Sequence, residues 1–509
     1  MLTSLILLLA FLFRFLGLSD YPVSLSMDEI AVGWDANSIL ATGKDHYGEY
    51  LPLVFRSVGD YKTPVAIYLI SGSIKVFGLN EFAVRFPSAF FGALTAIVFF
   101  IFLKELGIPK SGALAGGVWL AISPMHTALS RTSFDGVIAL FFLLVGLAAF
   151  LGAVRKKSGW LFGGSIALFA VSFWSYHAER IFVPLLAMFL LIYFREKLKF
   201  IYSDRKKLFT AILILVVFAA PFVYLTLSGQ GLLGRAGDLW LGRQRQGFSP
   251  VLAFWASQYL NYFDFNLWFA KIMNFTPSGY FDLGIMYYAD ILIFFPGVYF
   301  LVKSKNGLLK SVSLFWFLAG PFPGSLTTGG INAGRTLIWL PFFGILIANA
   351  FTLINRKMFL IYIPFLLWCI GYFANMFAVN FPKYNADLWH YGYKEVSKYA
   401  CENHRKYDKI IITDKYGIDW PSVKTIPYLY VLFYCDWNPA AYLTDRNLYN
   451  IEFRQPQWRI DSEEENWLLI GSRWDFPENF DKTKIMKTIY FPESAYEPKP
   501  AFFFVETKK

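Results

Sequence analysis

The chain has 509 residues, of which 56% are hydrophobic, 20% are aromatic and only 16% are charged. This balance excludes an ordinary soluble globular protein and is typical of a polytopic membrane protein. A formal net charge of +11 would suggest a nucleic-acid partner in a soluble chain. Here the placement of the basic residues gives a different explanation, and we expect no nucleic-acid partner.

About eleven apolar segments are long enough to cross a bilayer as helices. The first segment lacks a basic amino-terminal region and a small-residue cleavage site, so we expect a retained span and not a removed signal peptide. No internal repeat stands out, which disfavours the inverted repeats of many transporters. The predicted spans lie near residues 2–18, 82–103, 112–129, 134–154, 158–175, 180–194, 208–227, 285–302, 310–327, 333–353 and 358–379.

Basic residues concentrate in every second loop between these segments. This bias predicts that those loops are cytoplasmic, because positively charged loops are retained on that side. The residues are Lys104, Lys110, Arg155, Lys156, Lys157, Arg195, Lys197, Lys199, Arg205, Lys206, Lys207, Lys303, Lys305, Lys310, Arg356 and Lys357. The short loops on the opposite side hold one arginine each, and these are candidates for function: Arg131, Arg180 and Arg335.

The alternation of loops predicts that the amino terminus is cytoplasmic and that the large polar regions lie outside. We expect a transmembrane domain over residues 1–382, with outer loops 19–81 and 228–284, and an extracytoplasmic α/β domain over residues 383–509. The segment SPVLAFWASQYLNYFDFNLWFAKI in the second loop is typical of a helix in the headgroup plane. Short runs such as YDKIIIT and NWLLIGS predict strands in the tail. Three cysteines exclude a disulfide framework, although Cys401 and Cys435 could pair outside the cell.

Two adjacent carboxylates, Asp28 and Glu29, follow the first span in the stretch SLSMDEIAVGW. Ser26 and Glu29 have the spacing of a capping box, so helix capping alone can explain Glu29 but leaves Asp28 without a role. Farther along the same loop, the stretch GDYKTP precedes a helix that begins with proline, and it adds three candidates for the site: Asp60, Tyr61 and Lys62.

The other outer loops place polar groups at the outer ends of spans. A snorkelling or salt-bridged helix end explains any one of them about as well as a function does. Together they suit a phosphate-bearing lipid whose anionic head is held while a group is transferred from it. They are His126, Arg131 and Asp135 in SPMHTALSRTSFDG, His177, Glu179 and Arg180 in SYHAERIFVP, and Arg335 in GGINAGRTLIWLP.

Three stretches carry a family resemblance: SLSMDEIAVGWDANSILATG, DYKTPVAIYLISGSIKVFGLNEFAVRFPSAFFGALTAIVFF and SPMHTALSRTSFDGVIALFFLLV. They resemble the GT-C membrane glycosyltransferases, nearest to the protein O-mannosyltransferase and lipid A aminoarabinose transferase families. The family's carboxylate motif is matched by Asp28 and Glu29, and its aspartate is proposed as the base on the acceptor hydroxyl. A Lys-Pro-Pro stretch whose lysine holds the lipid phosphate is matched by Lys62, but Thr63 stands at the first proline.

The resemblance implies an inverting transfer of a sugar from a polyprenyl-phosphate donor to an acceptor hydroxyl, on the outer face of the cytoplasmic membrane. Protein, lipid and glycan acceptors all remain open. Asp28 would be the base, and Lys62 with Arg131, Arg180 or Arg335 would neutralise the leaving phosphate.

Two or three cations can stabilise a monophosphate without a metal, so we expect no obligatory cofactor, although two-carboxylate loops of this superfold can bind divalent ions. Two other classes of function are weighed against the transferase. A lipid-linked sugar transporter or flippase would carry its decisive charges near the bilayer midplane. A membrane assembly scaffold would explain the tail but not the cations at the helix ends.

Overall fold

The computed structural model describes residues 2–57, 59–229, 247–270, 273–276, 279–281, 284–328, 331–492 and 498–507. Helices make up most of the chain before the tail. Their bounds are α1 Leu2–Phe15, α2 Met27–Thr42, α3 Pro64–Phe77, α4 Glu81–Glu105, α5 Lys110–Ile122, α6 Pro124–Ser130, α7 Asp135–Lys156, α8 Gly159–Ser175, α9 Glu179–Tyr193, α10 Lys199–Tyr202, α11 Arg205–Leu227, α12 Phe248–Asn261, α13 Phe265–Phe269, α14 Ile291–Lys303, α15 Gly307–Ala319, α16 Phe322–Ser325, α17 Ala333–Thr336, α18 Leu340–Ala350, α19 Arg356–Asn375 and α20 Phe381–Asn385.

The tail contains the remaining helices and the main sheet. The helices are α21 Tyr393–Asn403, α22 Pro427–Tyr434, α23 Pro439–Thr444 and α24 Trp458–Asp461. The strands of the whole chain are β1 Phe55–Arg56, β2 Tyr61–Lys62, β3 Met273–Thr276, β4 Gly279–Phe281, β5 Lys409–Ile412, β6 Lys415–Tyr416, β7 Val423–Lys424, β8 Ile451–Phe453, β9 Trp467–Gly471, β10 Ile485–Tyr490 and β11 Pro500–Glu506.

Each predicted span coincides with a helix or with a pair of consecutive helices, so the polytopic helical fold is confirmed. The segment near 112–129 divides into α5 and α6, because Pro124 follows Ser123 and offers no backbone N–H to continue the first helix. Within the described residues, five helical stretches are individually long and apolar enough to cross a membrane. The number of crossings therefore stays a prediction.

The helices approach one another closely where glycines face a neighbour. A Cβ at Gly112 of α5 would collide with the carbonyl oxygen of Ala348 in α18, and a Cβ at Gly146 of α7 would lie 2.9 Å from the ring of Phe169 in α8. Small residues at such contacts are the usual means by which membrane helices pack. This packing fixes the outer ends of α7 and α8, which matter for the site.

The first outer loop and the tail share one hydrophobic core. Trp34 of α2 packs edge to face on Tyr442 of α23, with ring centroids 6.4 Å apart. The Tyr430 hydroxyl donates to the carbonyl of Leu25 at 2.9 Å. Because both contacts are buried, the tail helps to hold the loop around α2 in place.

The tail is built on a five-stranded sheet with the order β10-β11-β9-β5-β8. Strand β5 runs parallel to both β8 and β9, whereas β11 is antiparallel to β9 and β10. Cys401 at the end of α21 forms a disulfide with Cys435 after α22. In the second outer loop, α12 covers most of the predicted aromatic helix, and most of the remaining loop lies outside the described residues.

Candidate functional site

A cavity of about 260 Å³ lies where α2, the β2–α3 junction and the amino-terminal ends of α7 and α9 meet. Side chains from six separate parts of the chain line it, so the fold has to be complete before the cavity exists. Its polar lining consists of Ser26, Asp28, Glu29, Lys62, Thr63, Thr132, Ser133, Asp135, Tyr176, His177, Thr327, Asn332, Arg335 and Trp389.

Asp28 and Lys62 form the centre of one wall. Lys62 Nζ lies 2.7 Å from Asp28 Oδ1 and 3.1 Å from Asp60 Oδ2. The Asp28 side chain is 50% exposed, whereas that of Lys62 is only 12% exposed. Asp28 lies in the first turn of α2, where the helix dipole stabilises a carboxylate. The sequence prediction that acid and base meet in this loop agrees with the structure.

The β2–α3 junction fixes Lys62 through its neighbours. The Tyr61 carbonyl lies 3.1 Å from His177 Nε2. The Thr63 hydroxyl lies within hydrogen-bond distance of Asp135 Oδ2, at 2.8 Å, and of the Ser175 carbonyl, at 2.7 Å. A proline at position 63 could make neither contact. Thr63 therefore provides a link between Lys62 and Asp135 that the Lys-Pro-Pro pattern would lack.

Arg335 occupies another wall of the same cavity. Its Nη1 donates to the Thr327 hydroxyl at 2.6 Å, and Asn332 caps the short helix α17 that carries it. Gly329 and Gly330 of the same loop lie outside the described residues. The cavity thus holds Arg335 and Lys62 as cations and Asp28 and Asp135 as carboxylates.

Glu29 is buried and accepts hydrogen bonds from groups that hold the fold together. It completes the capping box with Ser26, and its Oε1 accepts from Arg85 Nε at 2.9 Å and from the backbone N–H of Ser133 at 3.3 Å. The residue is 2% exposed. A carboxylate already held by these donors is poorly suited to accept a proton, so the geometry favours the capping explanation over the predicted catalytic one.

Arg131 and His126 are not brought to the cavity. The Arg131 guanidinium donates to the carbonyls that end α1, including those of Leu16 and Gly17, both at 2.8 Å. His126 is fully buried with its Nδ1 2.7 Å from Arg14 Nη2. The predicted phosphate-binding role of Arg131 and the predicted site role of His126 are therefore not supported, because both side chains tie α1 to α6.

Arg180 and Glu179 lie at the edge of the site, at the start of α9. The Arg180 guanidinium stands over the Phe222 ring, 5.7 Å from its centroid. Glu179 is buried, close to Ser172 of α8. Neither side chain lines the cavity, although their neighbours His177 and Ala178 do.

Sequence reasoning missed three contributors: Arg85, Trp389 and His390. Arg85 is fully buried beneath Glu29, and nothing in its local sequence distinguishes it from a helix-end arginine. Trp389 lines the cavity although it belongs to the tail. His390 is buried close enough to Asp28 to sense its charge; burial lowers the pKa of its imidazole to about 4, against the opposing effects of the Lys424 backbone and of the Asp28 charge.

The arrangement offers a carboxylate for proton abstraction and two cations for an anion in one cavity. Among the described residues, no group of three or more His, Cys, Asp or Glu side chains is placed to hold a metal ion. Metal dependence stays a prediction.

Comparison with known proteins identifies the fold. Residues 61–224 match the family model described as dolichyl-phosphate-mannose-protein mannosyltransferase. The structure of ArnT from Cupriavidus metallidurans bound to undecaprenyl phosphate matches with a TM-score of 0.57 and 12% identity, over 98% of this chain and 97% of that one.

Two more distant matches were found. The Archaeoglobus fulgidus oligosaccharyltransferase in complex with Zn and sulfate has a TM-score of 0.46 and 15% identity, over 79% of this chain and 55% of that one. An uncharacterized protein of Aquifex aeolicus is 27% identical over 116 residues, and this match spans 23% of this chain and 23% of that protein. The chain therefore has the GT-C fold of the membrane glycosyltransferases, as the resemblance in its sequence predicted.

Proposed function

We propose that the protein transfers a sugar from a polyprenyl-phosphate donor to an acceptor hydroxyl at the outer face of the cytoplasmic membrane, with inversion at the anomeric carbon. The observation that carries this proposal is the convergence of Asp28, Lys62 and Arg335 on one cavity at the outer ends of the helices. The GT-C fold and the undecaprenyl phosphate named with the similar ArnT structure support it.

In this reaction, Asp28 takes the proton of the acceptor hydroxyl. The acceptor oxygen then forms a bond to the anomeric carbon while the bond from that carbon to the phosphate oxygen breaks. The electron pair leaves with the polyprenyl phosphate. General-base catalysis of this kind requires an accessible carboxylate, and Asp28 is half exposed into the cavity.

Lys62 and Arg335 neutralise the charge that develops on the leaving phosphate. The Lys62 ammonium is held by Asp28 and Asp60 in the structure. A phosphate that draws it away from Asp28, while Asp60 retains it, releases the Asp28 carboxylate for the acceptor. Donor binding and activation of the base are thereby coupled through one flexible side chain.

The disulfide between Cys401 and Cys435 supports an extracytoplasmic tail, since disulfides persist in oxidising compartments. In a background without the other cysteines, Glu49→Cys should react with a membrane-impermeant maleimide on intact cells, and Lys156→Cys should react only after permeabilisation. Both native side chains are exposed. Labelling of Lys156→Cys on intact cells would show that the topology is the opposite of the predicted one.

The activity itself is tested by incubating the purified protein in nanodiscs with a panel of polyprenyl-phosphate-linked hexoses, pentoses and uronic acids. A cell-envelope extract supplies acceptors, and the release of polyprenyl phosphate is measured. We expect release from at least one donor, dependent on Lys62. Absence of release from every donor would contradict the proposal.

A further inference from the structure

Two tryptophans form a pair on the surface of the tail, away from the cavity lining. Trp420 follows β6, and Trp474 follows β9 at its carboxyl end. Their ring centroids are 6.1 Å apart, and the ring planes are inclined by 49°. Trp420 is 71% exposed, which is unusual for so large an apolar side chain in a well-packed domain.

The turn that carries Trp420 is fixed by hydrogen bonds. The Ser422 N–H donates to the Trp420 carbonyl at 2.8 Å, and Trp474 Nε1 donates to the Gly417 carbonyl at 3.0 Å. A Cβ at position 417 would collide with the Trp420 carbonyl oxygen, so only glycine allows this turn. The exposed ring is therefore presented by an ordered turn.

Charged groups surround the two rings. Lys499 Nζ pairs with Asp419 Oδ1 at 2.6 Å, and the Asp419 side chain is 83% exposed. The Arg473 guanidinium lies over the Trp474 ring, 4.1 Å from its centroid. Apolar ring faces bordered by hydrogen-bonding groups are the pattern of a site for a ligand that is itself apolar on its faces and polar at its edges.

Hydrogen bonds connect this surface to the catalytic cavity. The Ile418 N–H donates to Asp387 Oδ2 at 3.0 Å, and the Tyr416 hydroxyl donates to the Asp387 carbonyl at 2.9 Å. Two residues after Asp387, Trp389 lines the cavity itself. The turn that carries Trp420 is thus attached directly to the segment that forms the tail's wall of the cavity.

A sugar ring has the required chemistry. Its C–H faces carry partial positive charge and lie flat on an indole, whose face is negative, while its hydroxyls at the edge reach charged groups. An anionic lipid surface fits less well, because one carboxylate and two basic side chains border the rings, whereas recognition of such a surface takes a cluster of about four or more basic residues. We propose that Trp420 and Trp474 form a glycan-binding subsite on the tail that holds part of a saccharide acceptor, on a turn attached to the segment that carries Trp389 of the cavity lining. This inference rests on the proposed function and specifies a carbohydrate acceptor.

Saturation-transfer NMR can test the subsite on the full chain in nanodiscs. The probes are mannotetraose, chitotetraose, maltotetraose and cellotetraose, titrated against the native protein, Trp420→Ala and Trp160→Ala. Trp160 is a matched control because it is 91% exposed and lies at the start of α8, far along the chain from the tail. We expect at least one tetrasaccharide to bind, at least about 10-fold weaker binding by Trp420→Ala, and unchanged binding by Trp160→Ala.

Three results would overturn the subsite: no binding of any tetrasaccharide, equal binding by Trp420→Ala, or an equal loss in Trp160→Ala. A fourth result would assign the pair to the membrane. In that case the full chain in nanodiscs would bind anionic phosphatidylglycerol vesicles, Trp420→Ala would weaken this binding, and no saccharide would bind. Release of polyprenyl phosphate by the native protein is measured in parallel with the cell-envelope extract as the source of acceptors. Release without binding of any tetrasaccharide would show that the subsite fails while the transferase stands, whereas absence of release from every donor would show that the transferase itself fails.

Discussion

Charged residues in and around the cavity fall into two groups that differ in how far they are buried. In the cavity, Asp28 has the Lys62 ammonium beside it and is half exposed. Just beneath, Arg85 is fully buried; it contacts Glu29 and donates to the backbone carbonyls of Leu18 and Pro22, at 3.1 and 2.9 Å. The adjacent carboxylates Asp28 and Glu29 thus have different environments, and burial distinguishes them.

The difference has an energetic meaning. Removing one partner of a buried, hydrogen-bonded ion pair destabilises the fold, because the other charge is then buried without its partner. A partly exposed pair such as Asp28 and Lys62 contributes little to stability and can separate when a ligand arrives. Substitutions in the buried pair of Arg85 and Glu29 should therefore reduce stability, and those of Asp28 and Lys62 in the cavity should reduce activity.

The largest effect is expected for Asp28→Asn. The variant keeps the shape of the side chain but cannot accept a proton, so the rate of transfer should fall by about 10² to 10⁴-fold. Its thermal unfolding midpoint should remain that of the native protein, and its donor affinity should be at least as high, because Asp28 no longer competes with the phosphate for Lys62. Asp60→Asn is the matched control, since Asp60 also contacts Lys62 but is not the proposed base. Near-normal turnover by Asp28→Asn would remove the catalytic role.

The effect of Arg85→Met should be the next largest, and it tests the buried pair of Arg85 and Glu29. It leaves Glu29 buried without its ion partner and should destabilise the protein by about 3–5 kcal/mol, measured by the shift of the thermal unfolding midpoint or by loss of folded protein. Glu29→Gln preserves the capping box and should retain most activity in the protein that folds. A stable Glu29→Gln variant without activity would show that Glu29 acts in the chemistry.

Lys62→Ala should have a smaller effect, which appears in donor binding. Loss of a charge-assisted contact to phosphate is expected to weaken donor affinity by about 1.5–3 kcal/mol and to slow turnover as well. Lys394→Ala serves as the control, because Lys394 pairs with Glu81 at 2.6 Å on the same side of the molecule but outside the cavity. Equal donor affinities of Lys62→Ala and the native protein would make Lys62 an interfacial anchor only.

Local spacing accounts for what the sequence could predict. The capping box of Ser26 and Glu29 and the proline that starts α3 are local features, so the positions of Asp28 and Lys62 follow from them. The partner of a charged side chain is a tertiary property, and no spacing reveals that Arg85 takes Glu29. The sequence suggested Arg131 as a phosphate-binding cation for the same reason. The carbonyls that it actually binds lie at the end of α1, far away along the chain.

The tail's contribution to the site was equally invisible from spacing, because Trp389 lies far along the chain from the other residues that line the cavity. His390 has φ of 55°, a left-handed conformation that asparagine tolerates better than most residues. His390→Asn therefore removes the titrating imidazole and keeps the backbone.

The smallest effect that sharpens the comparison is the pH dependence of stability at His390. Burial holds its pKa at about 4 in the folded protein, whereas an unfolded histidine titrates near 6.5. Between these values the unfolded chain binds more protons, so stability is full above about pH 6.5 and falls as the pH drops toward about 4. From pH 7 to pH 5 the loss should be about 2 kcal/mol in the native protein. In His390→Asn the decline of the thermal unfolding midpoint over this range should be clearly shallower, and in the control His404→Asn it should be that of the native protein. Identical pH profiles for all three proteins would show that His390 takes up its proton at nearly the same pH in the folded and in the unfolded chain. Its imidazole would then be hydrated and not packed.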